Sequence, residues 1–495
     1  MTYVRTPGQL IRRLAIAAVA IVVLTAVAWI VAGSSLGRQV ALAERERPAR
    51  DAWALHALAH SPQGAATSSC DPWKLIEKAY GIRDEVESTV RGDASATGSP
   101  RDKQYFDIML AYEDLRANKY DSDEILRANR AFEGFDAAGL FLVLNDLRDC
   151  VGVPYAPIRP ANGTLGDVLT EGLAQSGALA RISATRARVG REWHEPLWFE
   201  QSAGACLAIA RTIAASPRMT DYWRASSLEE LANDEIRKVL ASRPTQSWHT
   251  AIRSALRSRP PAYDLAYYLE ADRIMMLDML SVYTTEGACR IDGPIDLLGD
   301  WIKRVAGQRF KGTYTQNRDV VNAFYDAHIA VVSQPIHTRG PHPGRLPVLM
   351  RMELYSEAAE WGSPDQVFEI IRLNAEEHEA KRRAIEIWLA IDEYRAATGD
   401  FPDSLTQAEQ RFAITLPRDP WTDKPFIYRK DPSTPRGFVL YCTGPDHVDN
   451  GGAFDTLVET NPNYLNMAPG DDWAWPRPLD QNFDVDPLRG SSSEE

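Results

Sequence analysis

Leu14 to Gly33, LAIAAVAIVVLTAVAWIVAG, is a run of twenty residues without a charged side chain, preceded by Arg12 and Arg13. At about 1.5 Å of rise per residue, a helix of that length matches the roughly 30 Å hydrocarbon core of a bilayer. A cleavable signal peptide is the competing reading, because Val31-Ala32-Gly33 places small residues at a cleavage position. The apolar core of such peptides is about 7 to 15 residues, so the longer run favours an uncleaved anchor. Arg5, Arg12 and Arg13 stand on one side without an acidic neighbour; Arg38, Arg45, Arg47 and Arg50 stand on the other, interleaved with Glu44 and Glu46. The first group also gains the terminal amine, which leans toward an N-terminus inside. The expected location is the cell inner (cytoplasmic) membrane, crossed once, with the C-terminal domains on the periplasmic or outer side.

The rest of the chain has an ordinary globular composition, 44% hydrophobic and 25% charged, and a mean hydropathy of -0.32 excludes a polytopic membrane protein. With 495 residues it exceeds the roughly 250 to 300 at which single cores stop growing. A net charge of -13 argues against nucleic acid as a partner, since phosphate binding rests on Lys and Arg displacing counterions. The five cysteines, Cys70, Cys150, Cys206, Cys289 and Cys442, are widely spaced and form no metal-finger pattern. Export permits disulfides without requiring them, and buried small hydrophobes are the alternative.

The expected fold class is mainly α: a single transmembrane helix, a large α-helical domain and a small C-terminal α+β module. Residues 1–13 form a cytoplasmic tail, 14–33 the membrane helix, 34–51 a stalk and 52–347 the helical exported domain. Residues 348–478 hold a helix plus the α+β module, and 479–495 an acidic flexible tail. Tyr105, Ile108, Met109, Tyr112 and Leu115 recur at helical spacing within Lys103 to Asn118. Ser227 to Glu230 carries a capping-box signature for the start of another helix. Pro260-Pro261 opens a strongly apolar helix, whose Asp272 and Asp278 are expected on its solvated edge, and Val320 to Val332 is one more. The stretch from Ile336 to Pro347 reads as a loop or hinge.

From about Asn374 one long amphipathic helix carries Ala384, Ile387, Trp388, Ile391 and Tyr394 on a stripe, with Glu379, Lys381, Arg382, Arg383 and Glu386 on the rest. Gly399 and Pro402 stop it. Phe426 to Tyr428 and Phe438 to Tyr441 then read as an antiparallel hairpin. In order, Tyr394 to Pro402, Leu416 to Trp421, Lys424 to Tyr428 and Gly437 to Asp446 resemble the C-terminal domain of the type II secretion major pseudopilin, over about residues 376–470. The resemblance implies a helix on a small antiparallel sheet, followed by a calcium-holding loop in which Asp446 matches the first acidic position and Asp449 and Asp455 lie where further acids occur. Calcium takes about six to eight hard oxygens, and the glycines Gly444, Gly451 and Gly452 permit tight turns; a metal-free Asp/Asn/Gly turn is the alternative. The match lacks the family's leader and cleavage pattern, and about 340 residues separate it from the anchor, so secretion function is not carried across.

No Walker loop, dinucleotide fingerprint, GxSxG elbow or HExxH occurs. His56 and His60 lie four apart without an acid or cysteine to complete a metal site. Arg191 to Glu195, beside Trp198 and Phe199, concentrates titratable groups, and His194 with Glu195 is the candidate acid/base pair of a membrane-anchored hydrolase. Asp392 and Glu393 are expected to face water. Trp473 and Trp475 are positioned to anchor the start of a tail holding seven acids against two arginines. Taken together, these features favour a non-catalytic, membrane-anchored envelope scaffold or protein-binding protein. Its partners are the bilayer, through residues 14–33, and another envelope protein.

Overall fold

The computed structural model describes residues 37–48, 70–97, 135–150, 173–289, 313–340, 364–434, 436–452 and 473–475, with Ala52 and Phe132. The 14–33 run, His56, His60 and the 103–118 stripe lie outside them. The protein is mainly helical, with one small antiparallel sheet. Among the described residues no helix is long and apolar enough to cross a membrane.

A short helix at 37–46 comes first. Six helices then build the first part of the chain: α1 (Pro72–Thr97), α2 (Leu140–Asp149), α3 (Leu173–Glu192), α4 (Pro196–Ala214), α5 (Met219–Ala241) and α6 (Gln246–Leu256). Helix α4 is the hub, because SAGACLAIA gives it small residues on every side, and Ser202 through Ala210 are all buried. Neighbours therefore pack around its whole circumference. A Cβ on Gly204 would meet Nε of Arg148 at 2.6 Å, so glycine lets that guanidinium cross from α2. Pro196 opens α4, where its missing N–H costs nothing. The carbonyls left at its far end are taken by the hydroxyls of Tyr267, to Ala215, and Tyr268, to Ala214. Arg211 in turn donates to the carbonyls of Leu147, Arg148 and Cys150 and so caps α2. A disulfide between Cys70 and Cys150, with Cα atoms 5.6 Å apart, ties the start of α1 to the end of α2. Cys206 and Cys442 are both buried.

Helices α7 (Leu265–Cys289) and α8 (Tyr314–Val332) follow as a packed pair. A capping box, Thr313 with Gln316, opens α8. Helix α7 begins four residues after Pro261, where Asp264 accepts the N–H of Ala266, and the two prolines lie outside it. The capping box expected at Ser227 is absent: α5 already starts at Met219, and Ser227 donates back to the carbonyl of Trp223 from mid-helix. Asp221, Tyr222 and Ala225 are buried, which extends the apolar face a further two turns. Only a 3-10 turn, Ile336–Thr338, is described within the expected hinge.

The C-terminal part starts with α9 (Pro364–Thr398), ten residues earlier than its amphipathic pattern indicates, and ends at Gly399 in the left-handed region, φ 87°. Helix α10 (Leu405–Phe412) leads to strands β1 (Ile427–Asp431), β2 (Gly437–Cys442) and β3 (Trp473–Trp475), ordered β1-β2-β3 and antiparallel throughout. The hairpin thus forms as expected, and the backbone of Trp473 to Trp475 pairs as an edge strand opposite Cys442 and Leu440. A continuous buried cluster joins Ile387, Trp388, Ile391, Phe438 and Leu440 to Phe199, Ile236, Trp248 and Ile252, so the core runs across the sequence border near 348.

Candidate functional site

Helix α9 carries two buried stripes, and the second one makes the site. Trp388 and its apolar neighbours face the sheet. His378, Arg382, Ile385, Leu389 and Asp392 recur at alternating spacings of about four and three, the helical period of a second face, and all five are buried. The charged members of that stripe meet charges from α5, α6 and the 259–263 segment.

Glu229 of α5, fully buried, is the centre. Tyr263 donates a hydrogen bond to its Oε2 at 3.0 Å. His378 Nε2 lies 3.1 Å from the same oxygen, and Nε of Arg259 and Arg382 lie 3.0 and 3.2 Å from Oε1, at ion-pair distance but not aimed along a hydrogen bond. The remaining guanidinium donors are spent elsewhere. Arg382 reaches the carbonyls of Pro260 and Pro261, and Arg259 reaches Asn233 and Glu386. Burial alone would raise the Glu229 carboxyl, but His378, Arg382 and Arg259 outweigh it and hold the group at about 2. The same negative centre, added to burial, pushes the Tyr263 hydroxyl well above its ordinary range.

Further along α9, Nε2 of His249 lies 2.7 Å from Oδ2 of Asp392, whose other oxygen accepts from Arg395 at 2.7 Å. His249 Nδ1 is buried without a hydrogen-bond partner among the described residues. An ionised carboxylate only accepts, so Nε2 donates to Asp392. Arg253 of α6 holds both carboxylate oxygens of Glu393 through its Nε and Nη2. At the N-terminal end, Glu376 accepts from Arg339, Arg372 and the indole of Trp421. Asp392 and Glu393 therefore face protein, not water, because α6 covers the side of α9 that the apolar stripe leaves open.

The sequence-derived candidates lie apart from this network. His194 and Glu195 are both exposed, on the turn between α3 and α4, with His194 at φ 57°. An acid/base pair needs a concave site, and their exposure removes the geometry that the hydrolase reading required. Asp446 accepts the N–H of Val448, and Asp449 accepts both the N–H of Gly451 and the hydroxyl of Tyr441. Asp455 lies outside the described residues, and among those described no group of three His, Cys, Asp or Glu could hold a metal. Asp278, expected in solvent, is fully buried against Arg47, and Asp272 accepts from Tyr325.

The class defined by these features is a mainly α protein in which α9, the helix that carries the small sheet on its apolar face, is joined to α5 and α6 by a buried ionic seam. No protein-family model, curated protein or solved structure matches the chain.

Proposed function

We propose that the protein is a membrane-anchored, non-catalytic envelope scaffold that binds another envelope protein. The observation that carries this reading is the ionic seam: its buried carboxylates are each engaged by basic side chains, which join α9 and the sheet it carries to α5 and α6. Support for anchoring comes from the Leu14 to Gly33 run, and support for export from the Cys70–Cys150 bond, since disulfides persist in oxidising compartments. The antiparallel sheet under α9 fits the resemblance to a pseudopilin C-terminal domain. Cross-linking the full chain in intact envelopes tests the reading. The same protein should be captured in every replicate at stoichiometric yield, and a chain that is consistently captured alone would sink it.

In the same reading, the loop after β2 is where calcium would bind. Asp446 and Asp449 each engage a backbone donor through Oδ1. Two carboxylates fall short of the roughly six to eight oxygens calcium takes, so Asp455 or backbone carbonyls must complete the set. Saturating calcium at about 100-fold over its dissociation constant should add about 2.7 kcal/mol. A midpoint that neither calcium nor chelator moves would exclude the ion.

A further inference from the structure

The residues that follow the apolar run do not stand off the protein as a stalk. Ala43 of the 37–46 helix is fully buried in a cluster with Leu280 of α7 and Tyr314 of α8. The next residues add two ion pairs of opposite polarity. Arg318 of α8 donates to Glu46 at 2.6 Å, and Arg47 donates to Asp278 of α7 at 2.8 Å. The Asp278 side chain is completely buried, and that of Arg47 is 34% exposed. Adjacent residues of opposite sign thus meet opposite partners on two different helices. Sliding the segment by one residue would carry Arg47 toward Arg318, so the pairing fixes register as well as contact.

We infer that residues 37–47 clamp the helical domain to its own membrane anchor and hold the α7–α8 end of the domain against the bilayer surface. This rests on the anchor reading above. Gly33 ends the apolar run, and the clamp helix starts at residue 37. Four residues reach at most about 14 Å when extended, and the six helical residues from there to Ala43 add about 9 Å. Leu280 and Tyr314 therefore lie within roughly 25 Å of the hydrocarbon boundary, of which the headgroup layer fills about 6 Å. The bilayer becomes a second surface of the domain, and a movement of the anchor is transmitted to α7 instead of being absorbed by a loose tether.

The test uses the full chain in lipid nanodiscs. Reversing either charge, Glu46→Arg or Arg318→Glu, should speed hydrogen exchange of amides 38–47 at least tenfold, and the double reversal should restore protection. Unchanged exchange in the single variants overturns the clamp, and fast exchange in the double variant assigns the effect to general loss of fold and overturns it as well. A headgroup-photoreactive lipid should label α7 and α8, and a ten-residue Gly-Ser insertion between Ser35 and Leu36 should cut that labelling several-fold while leaving exchange untouched. Labelling that ignores the insertion overturns the membrane placement alone. A chain that alkaline carbonate extracts from membranes sinks the anchor reading itself and this inference with it.

Discussion

Replacing Glu229 by Gln removes one negative charge and almost no volume from the centre of the seam. Arg259, 9% exposed, and Arg382, 8% exposed, would then share a buried space with a neutral amide. Breaking a buried ion pair by deleting one partner costs about 3 to 5 kcal/mol, because the partner charge stays desolvated. Proton linkage gives a similar figure independently. Holding the carboxyl at about 2 instead of its ordinary 4.5 corresponds to about 3 kcal/mol at neutral pH. The folded-state value is depressed, so this stability is present above about 4.5 and is lost as the pH falls toward about 2. Thermal melts of Glu229→Gln and wild type from pH 7.5 to 3 should differ by roughly 5 to 8 °C at the upper end, and the gap should narrow to less than half of that at the lower end. A variant that melts within a degree of wild type at pH 7.5 would refute the view that a charged Glu229 holds the seam.

Asp272 should behave in the opposite sense. Burial raises its carboxyl to about 6 despite the Tyr325 hydrogen bond, so it favours folding at low pH and loses that contribution as the pH rises through 6. Asp272→Asn keeps an acceptor for Tyr325 and should raise the midpoint at pH 8 but not at pH 4, which paired melts will show. The Cys70–Cys150 link closes a separation of 80 residues, for which loop entropy gives an upper value of about 4.5 kcal/mol. The Cys70→Ser/Cys150→Ser double variant should therefore melt lower than wild type, and reductant should lower only the wild type. Cys206 is fully buried and its thiol is pushed up to about 12, first by burial and then by Glu229. Mass spectrometry after native alkylation should find it unmodified until the protein is unfolded.

Local patterns in the sequence carried the helices and the hairpin because they depend on neighbours in the chain. The 3.6-residue stripe through Trp388, the Gly399 stop and the apolar strand at Phe438 all appear where their spacing puts them. Their bounds shifted where a tertiary bond competed with local preference. Pro260 and Pro261 stay out of α7 while their carbonyls hold Arg382. The sequence signal for the seam was present but ambiguous, since His378, Arg382 and Asp392 keep helical spacing with Ile385 and Leu389, yet charge on a helix ordinarily marks a solvated face. Asp278 was misplaced for the same reason.

By itself the sequence determined the division into an apolar run, a mainly helical region and a terminal α+β pattern, because hydrophobic period and breaker residues are written along the chain. Only the tertiary structure decided which charges are buried and which helices they join. A Glu is stable in a protein interior only when partners from elsewhere reach it, and those of Glu229 are the guanidiniums of Arg259 and Arg382 and the ring of His378, up to 153 residues away in sequence. The same holds for the segment after the anchor: Ala43, Glu46 and Arg47 become a clamp only because α7 and α8 bring Leu280, Asp278 and Arg318 to meet them.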